Sequence, residues 1–265
     1  MYEFAYHRPG SVTEAAKLAG DHAEGKLLAG GQTLLPTMKQ RLAGPSDIID
    51  LSRLDDLRGI SVKDGVVTIK ALTRHVTVAT SAEVKAAIPA LAELAGMIGD
   101  PAVRNKGTIG GSVANNDPAA DYPSACLALG ATITTNKRAI KADDFFTGLF
   151  DTALGDGEIV TSVSFPIPDK ANYQKFRNPA SRYAIVGVFV AKKGADVRVA
   201  VTGAGESGVF RQKDFEAALK AKFSADAVDG KKQSAKGLNS DIHADAEYRA
   251  HLIGVMTKRA VTAAG

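Results

Sequence analysis

Two short stretches of this 265-residue chain combine a β-like run, a glycine pair and a small hydroxyl residue. They are Leu27-Leu28-Ala29-Gly30-Gly31-Gln32-Thr33 and Thr108-Ile109-Gly110-Gly111-Ser112-Val113. Paired glycines let successive backbone N–H groups converge without interference from Cβ, and a helix that starts just beyond adds partial positive charge. Such a turn is an anion nest suited to phosphate. A helix is expected from Leu34 onward, which puts Gly30 to Thr33 at its N-terminal side. The hydroxyls of Thr33 and Ser112 could donate to a phosphate oxygen. Either pair alone is equally a tight turn or a bulge. Two such pairs, each with a hydroxyl beside it, suit a diphosphate held from both sides.

A third glycine-rich run, Gly203-Ala204-Gly205-Glu206-Ser207-Gly208, matches the dinucleotide fingerprint letter for letter and follows the strand-like VRVAVT. Its context argues for a plain glycine-rich loop. The VFRQK segment after it does not open a helix against the third glycine, and the remaining chain lacks strands to complete a parallel sheet. Other chemistry finds little support. The single cysteine, Cys126, excludes an internal disulfide, a cysteine-rich zinc site and a four-cysteine iron–sulfur cluster within this chain. It lies in the apolar, helical-looking YPSACLALG and reads as a buried structural thiol. The five histidines (His7, His22, His75, His243, His251) show no ligand spacing, so no metal centre is expected. No serine–histidine constellation appears, and the carboxylates fall on predicted surfaces or turns.

The elements that must carry the glycine pairs alternate in type. A helix starts at a capping Ser11, a strand covers 26–29, a helix 34–42 and a compact strand 47–51. ISVKDGVVTIKAL is a hairpin turned at Asp64-Gly65. Residues 81–98 are helical with Pro89 breaking the run, the second glycine pair is expected to lie in a strand or strand end, and a helix over 122–129 follows. Strands are expected at ATITT and EIVTSVSFPIP, then at 183–192 and 196–202, before helices over 213–221 and 245–264. A boundary falls near 168–175, giving an α+β protein of two domains. The net charge of +4 is scattered, with no basic patch interleaved with aromatics, so nucleic acid is not an expected partner. No stretch is long and apolar enough to span a bilayer, and the N-terminus lacks a secretory pattern. A cytoplasmic placement is expected, with the inner face of the membrane as its variant.

AGGQTLLPTMKQRL and DPAVRNKGTIGGSVANNDPAADYPSACLALGA resemble the two flavin-binding motifs of the medium subunits of molybdenum hydroxylases. The aerobic carbon monoxide dehydrogenase type is the nearer likeness and the xanthine dehydrogenase flavin domain a more distant one. YHRPGSVTEAAKL, TGAGESGVFR and LNSDIHADAEYRAHLIGVMTKRAV extend the resemblance nearly end to end. It implies a two-part FAD-binding domain of the PCMH/vanillyl-alcohol-oxidase-like type over 1–170, with subdomains of about 1–57 and 58–170. A small C-terminal α+β domain with a three-stranded antiparallel sheet would cover 171–265. It also implies that Ala29, Gly30, Gly31, Gln32 and Thr33, with Thr108, Ile109, Gly110, Gly111 and Ser112, wrap the FAD pyrophosphate. Asp121 and Ile98 would contact the cofactor, and Lys175 and Tyr183 would lie near its ring. For Tyr183, a strand residue packed between domains is an equal reading. Family members often carry histidine where this chain has Gln32, so the FAD is expected to be non-covalent.

The resemblance implies a division of labour. A large subunit carries the molybdenum cofactor, a small subunit carries two [2Fe-2S] clusters, and FAD on this chain passes electrons to an external acceptor such as a quinone, NAD or oxygen. The assembly would be a dimer of heterotrimers. The alternatives are a self-contained flavin reductase on the same fold and a non-enzymatic nucleotide-binding module keyed to GAGESG.

Overall fold

A computed structural model describes residues 1–265. The chain opens with three short parallel strands, β1 (Ala5–His7), β2 (Lys26–Leu28) and β3 (Asp47–Asp50), in the order β1-β3-β2. Helix α1 (Val12–Asp21) links β1 to β2, and α2 (Leu34–Lys39) links β2 to β3. Ser11 caps α1 as expected, its hydroxyl accepting from the Glu14 amide. Central β3 is buried at every position, and its two aspartates are satisfied by neighbours. Asp50 accepts from Tyr6 and Ser52, and Asp47 from Ser46.

Strands β4 (Ile60–Lys63) and β5 (Val66–Lys70) form the expected hairpin, with Asp64 and Gly65 both at positive φ. A run of short helices follows: α3 (His75–Thr80), α4 (Ala82–Ala87), α5 (Pro89–Gly96), α6 (Pro101–Lys106), α7 (Ile109–Asn115) and α8 (Tyr122–Ala128). Pro89 is the first residue of α5, where its missing N–H loses nothing. The chain returns through β6 (Thr132–Thr135), β7 (Ala139–Lys141), the turn of helix α9 (Ala142–Phe145), the small hairpin β8 (Phe146–Gly148) with β9 (Asp151–Thr152), and β10 (Val160–Pro166). These complete a five-stranded sheet of order β4-β5-β10-β6-β7.

The second glycine pair corrects one expectation. Residues 109–115 are the helix α7, not a strand end. Thr108 caps it by accepting from the Gly111 amide, and Asn116 ends it in the left-handed conformation. A capping threonine two residues before a glycine pair therefore outweighs the β-like look of Thr-Ile…Val.

The last third is built on β11 (Lys170–Arg177), β12 (Ala184–Lys193), β13 (Asp196–Thr202) and β14 (Phe210–Arg211), covered by α10 (Lys213–Ala221) and α11 (Ala246–Ala264). Its antiparallel sheet has four strands rather than the three expected. The fourth, β14, is two residues long and pairs only with Ala200 and Val201, too short to show an alternation in sequence. Both faces of this sheet are covered. Tyr173, Phe189, Ala191 and Ala200 join the large core shared with α5 and α8, whereas Val186, Val188, Val190, Val199 and Val201 pack under α10 and α11. Two buried faces explain why β12 reads as an unbroken apolar run.

Glu158 clamps the β6–β7 turn to the segment entering β10. It accepts from Arg138 Nε at 2.9 Å, Thr135 Oγ1 at 2.7 Å and the Gly155 amide at 2.9 Å. The Arg138 hydrogen bond is the largest influence holding its carboxyl down from an ordinary 4.5 to about 2. A depressed acid stabilises the fold fully above its unfolded value and loses that contribution as pH falls through its folded value. Glu158→Gln should therefore be less stable than the parent at pH 7. The gap should close between pH 4.5 and about 2 in denaturant titrations.

Candidate functional site

The turn after β2, the approach to α7 and the loop before β12 face one another across a cleft of about 580 Å³. The two glycine motifs touch in its wall. A Cβ on Gly30 would collide with the Lys106 carbonyl oxygen and lie 2.7 Å from Gly107 Cα, and one on Gly111 would come within 3.7 Å of Ala29 Cβ. Gly31 holds φ +69°, which glycine alone adopts at little cost.

The motifs contribute differently. The amides of Gly30, Gly31, Gln32 and Thr33 donate to no protein acceptor, so four consecutive N–H groups are free at the cleft wall. Around the second motif the amides are taken: Ile109 donates to Thr73 O, Gly110 to Ala71 O, Gly111 to Thr108 Oγ1 and Ser112 to Thr108 O. The expectation that Gly110-Gly111 amides converge on an anion is therefore corrected. Gly110 is small because α7 packs there on the end of β5: an added Cβ would lie 2.5 Å from Ala71 Cβ and 2.8 Å from its carbonyl oxygen. Thr108, Gly110, Gly111 and Ser112 still line the cleft. The Ile109 side chain does not, being fully buried in the large core.

At the other end lie Ile98, Asp121, Lys175 and Tyr183. Asp121, one of the carboxylates expected on surfaces or turns, immediately precedes α8 and is 5% exposed. Both its oxygens are engaged, one by the Tyr173 hydroxyl and the other by Lys175 Nζ at 2.9 Å. Lys175 stands on β11, a strand not recognised in the sequence, and also donates to Met97 O at 3.2 Å. Burial pushes the Asp121 carboxyl up against the pull of the Lys175 ammonium, and burial also raises Tyr173 so that it keeps its proton. Tyr183 is not in a strand. It ends the loop before β12, is 52% exposed and faces the cleft. The loop is fixed by Asn178, whose side-chain oxygen accepts from the Ala180 and Ser181 amides, and Arg182 sits at φ +63°.

His75, Asp117, Phe150 and Arg182 also line the cleft and were missed. His75 is buried, its Nδ1 has no partner, and desolvation lowers it to about 4, so the ring is neutral at pH 7. A lone histidine beginning a short helix leaves no signal in sequence. GAGESG is not a nucleotide loop of the parallel-sheet kind, because it joins the antiparallel β13 and β14. Gly203 has φ +81° and its amide donates to Pro118 O, which ties this loop to the segment holding Asp121.

Substitutions separate these roles. Asp121→Asn should cost about 3–5 kcal/mol in urea unfolding by stranding Lys175. Adding Lys175→Met should recover much of that loss. Gly110→Ala should cost about 1–3 kcal/mol through overpacking on Ala71. Gly254→Ala in α11, where a Cβ meets nothing within 4 Å, should stabilise by up to about 1 kcal/mol.

Comparison with known proteins bears on this geometry. Residues 2–168 match the family model described as FAD binding domain in molybdopterin dehydrogenase, and residues 171–264 that described as CO dehydrogenase flavoprotein C-terminal domain. The chain is 35% identical to the carbon monoxide dehydrogenase medium chain of Hydrogenophaga pseudoflava, over 98% of this chain and 96% of that one. It is 34% identical to the nicotine 6-hydroxylase medium subunit of Paenarthrobacter nicotinovorans, over 98% and 96%. The solved structure of reconstituted CO dehydrogenase from Oligotropha carboxidovorans superposes with a TM-score of 0.90 at 30% identity, covering 99% of this chain and 97% of that one. With both halves matched in order and relatives matched almost end to end, the chain belongs to the FAD-binding medium subunits of the molybdenum hydroxylases, a family of oxidoreductase subunits.

Proposed function

We propose that this chain is the electron-relay subunit of a molybdenum hydroxylase complex, holding FAD non-covalently in the cleft. The observation that carries this reading is the row of four unpaired amides at Gly30–Thr33, backed by a glycine contact that leaves no room for a side chain. In this reading Ala29 to Thr33 hold the diphosphate from one side and Thr108, Gly110, Gly111 and Ser112 from the other. The latter act through side chains and close packing more than through amides. Ile98 and Asp121 then contact the cofactor, and Lys175 and Tyr183 lie near its ring. Nothing in the chain favours a covalent link. Gln32 stands in the turn, and Cys126 is buried within α8 with its thiol raised by desolvation.

Bound flavin supplies electron exchange in steps of one or two. The protein's own residues bind and orient. Asp121 fixes Lys175 and has no free oxygen to act as a base, Tyr173 keeps its proton, and His75 is neutral. That these three groups hold their charge state supports a relay over a self-contained reductase. Electrons would come from two [2Fe-2S] clusters on a small subunit, since one cysteine cannot hold such clusters here. Substrate oxidation would occur at the molybdenum cofactor of a large subunit, in a dimer of heterotrimers that delivers to an external acceptor. We extend the proposal to the division into 1–170, with subdomains of about 1–57 and 58–170, and 171–265. No helix is long and apolar enough to cross a membrane, and a cytoplasmic complex, free or on the inner membrane face, accords with that.

Thr33 is exposed on the turn, so Thr33→Glu should leave the fold intact while setting a carboxylate beside the diphosphate. FAD affinity, measured by fluorescence titration of the flavin-free chain, should fall by roughly tenfold or more, since each 1.4 kcal/mol is tenfold. Unchanged affinity would move the diphosphate elsewhere. Native purification should bring down one larger and one smaller partner with a yellow, acid-releasable flavin.

A further inference from the structure

His7, His22 and Asp47 are far apart in sequence, yet the first small sheet gathers them at one place. His7 ends β1, His22 closes α1, and Asp47 opens β3. His7 Nε2 lies 2.7 Å from Asp47 Oδ1, and His22 Nδ1 lies 3.3 Å from Asp47 Oδ2. One ligand atom from each residue falls within 4.8 Å of the other two, and the two rings sit 5.3 Å apart, tilted by 32°. The arrangement is held from outside. Ser46 Oγ donates to Asp47 Oδ2 at 2.7 Å, and the Gly25 amide donates to His22 O at 2.8 Å. A Cβ on Gly25 would lie 2.9 Å from His22 O and 3.4 Å from Asp47 Cβ, so the turn closes this tightly only with glycine there.

We propose that His7, His22 and Asp47 form a binding site for a borderline divalent transition-metal cation, with zinc as its type. Two imidazole nitrogens and one carboxylate oxygen are a zinc donor set, and the partial exposure of both rings leaves a fourth position for water. Calcium and magnesium prefer all-oxygen shells and are excluded by the imidazoles. Tetrahedral zinc with ligands at ~2.0 Å separates them by about 3.3 Å, the spacing His22 already has to Asp47. His7 Nε2 meets the other carboxylate oxygen, Oδ1, and gives up that hydrogen bond to bind the metal. A bound ion would join β1, β3 and the turn after α1 into one unit, bracing the sheet whose strand β2 leads into Gly30-Gly31.

The test is equilibrium dialysis and calorimetric titration of the untagged, chelator-stripped full chain with zinc chloride, with magnesium chloride as the parallel probe. One zinc per chain is expected, with no magnesium, and with a rise in melting temperature that EDTA reverses. His22→Gln and Asp47→Asn should each weaken zinc binding by roughly tenfold or more. His251→Gln, exposed on α11, should leave stoichiometry and affinity unchanged. Circular dichroism of each variant guards against simple misfolding. Substoichiometric zinc uptake by the parent chain overturns the proposal. So does a folded His22→Gln variant that binds as the parent does.

Discussion

The buried ion pair between Asp121 and Lys175 is the constraint around which the cleft is organised. Burying either charge without the other would be costly, because an isolated buried charge is penalised by several kcal/mol. The pair survives because each oxygen of Asp121 has its own donor and Lys175 has a second acceptor in Met97 O. This satisfaction needs two distant parts of the chain. Asp121 precedes α8, whereas Lys175 and Tyr173 stand on β11. The sheet makes room for the Tyr173 hydroxyl with Gly187 on the neighbouring strand, where any Cβ would strike it. Thr202 then locks the same junction by donating to the carbonyls of Pro118 and Ala120. The ion pair is therefore as much a joint between the third sheet and the rest as it is a feature of the site.

The glycine motifs answer a different physical demand at each position. At Gly30 and Gly31 the backbone must turn with its amides exposed while running against Lys106 and Gly107. At Gly110 the demand is close contact between a helix and a strand end, with the amide already committed to Ala71. Similar letters thus encode an anion-facing turn in one place and a packing contact in the other. Their adjacency in space is what makes one wall from them.

Much of this was legible in the sequence because local rules and tertiary context agree there. The Asp64-Gly65 hairpin, the break at Pro89 and the apolar run of β12 each carry their own signal. The strand reading of 108–113 failed because capping by Thr108 is decided by one hydroxyl, which periodicity does not weigh. β14 was invisible because a two-residue strand has no period, and β11 because Lys175 shares the core-facing side with Tyr173 while Asn172 and Gln174 share the other side with Phe176, which blurs the alternation. Of the cleft, the backbone turns were readable and the side chains that close it were less so. His75, Asp117 and Phe150 arrive from three separate elements, and no spacing in the sequence connects them.

The charge state of the cleft bears on what chemistry it can support. His75 stays neutral down to about pH 4, Tyr173 is held protonated by burial, and Asp121 is locked between two donors. Around neutral pH these groups therefore present a fixed electrostatic field rather than a proton reservoir. A hydrolase or a self-sufficient reductase needs a group whose proton moves within the working range. Lys175 supplies the one buried positive charge at that end of the cleft, and its partner is arranged to hold it still.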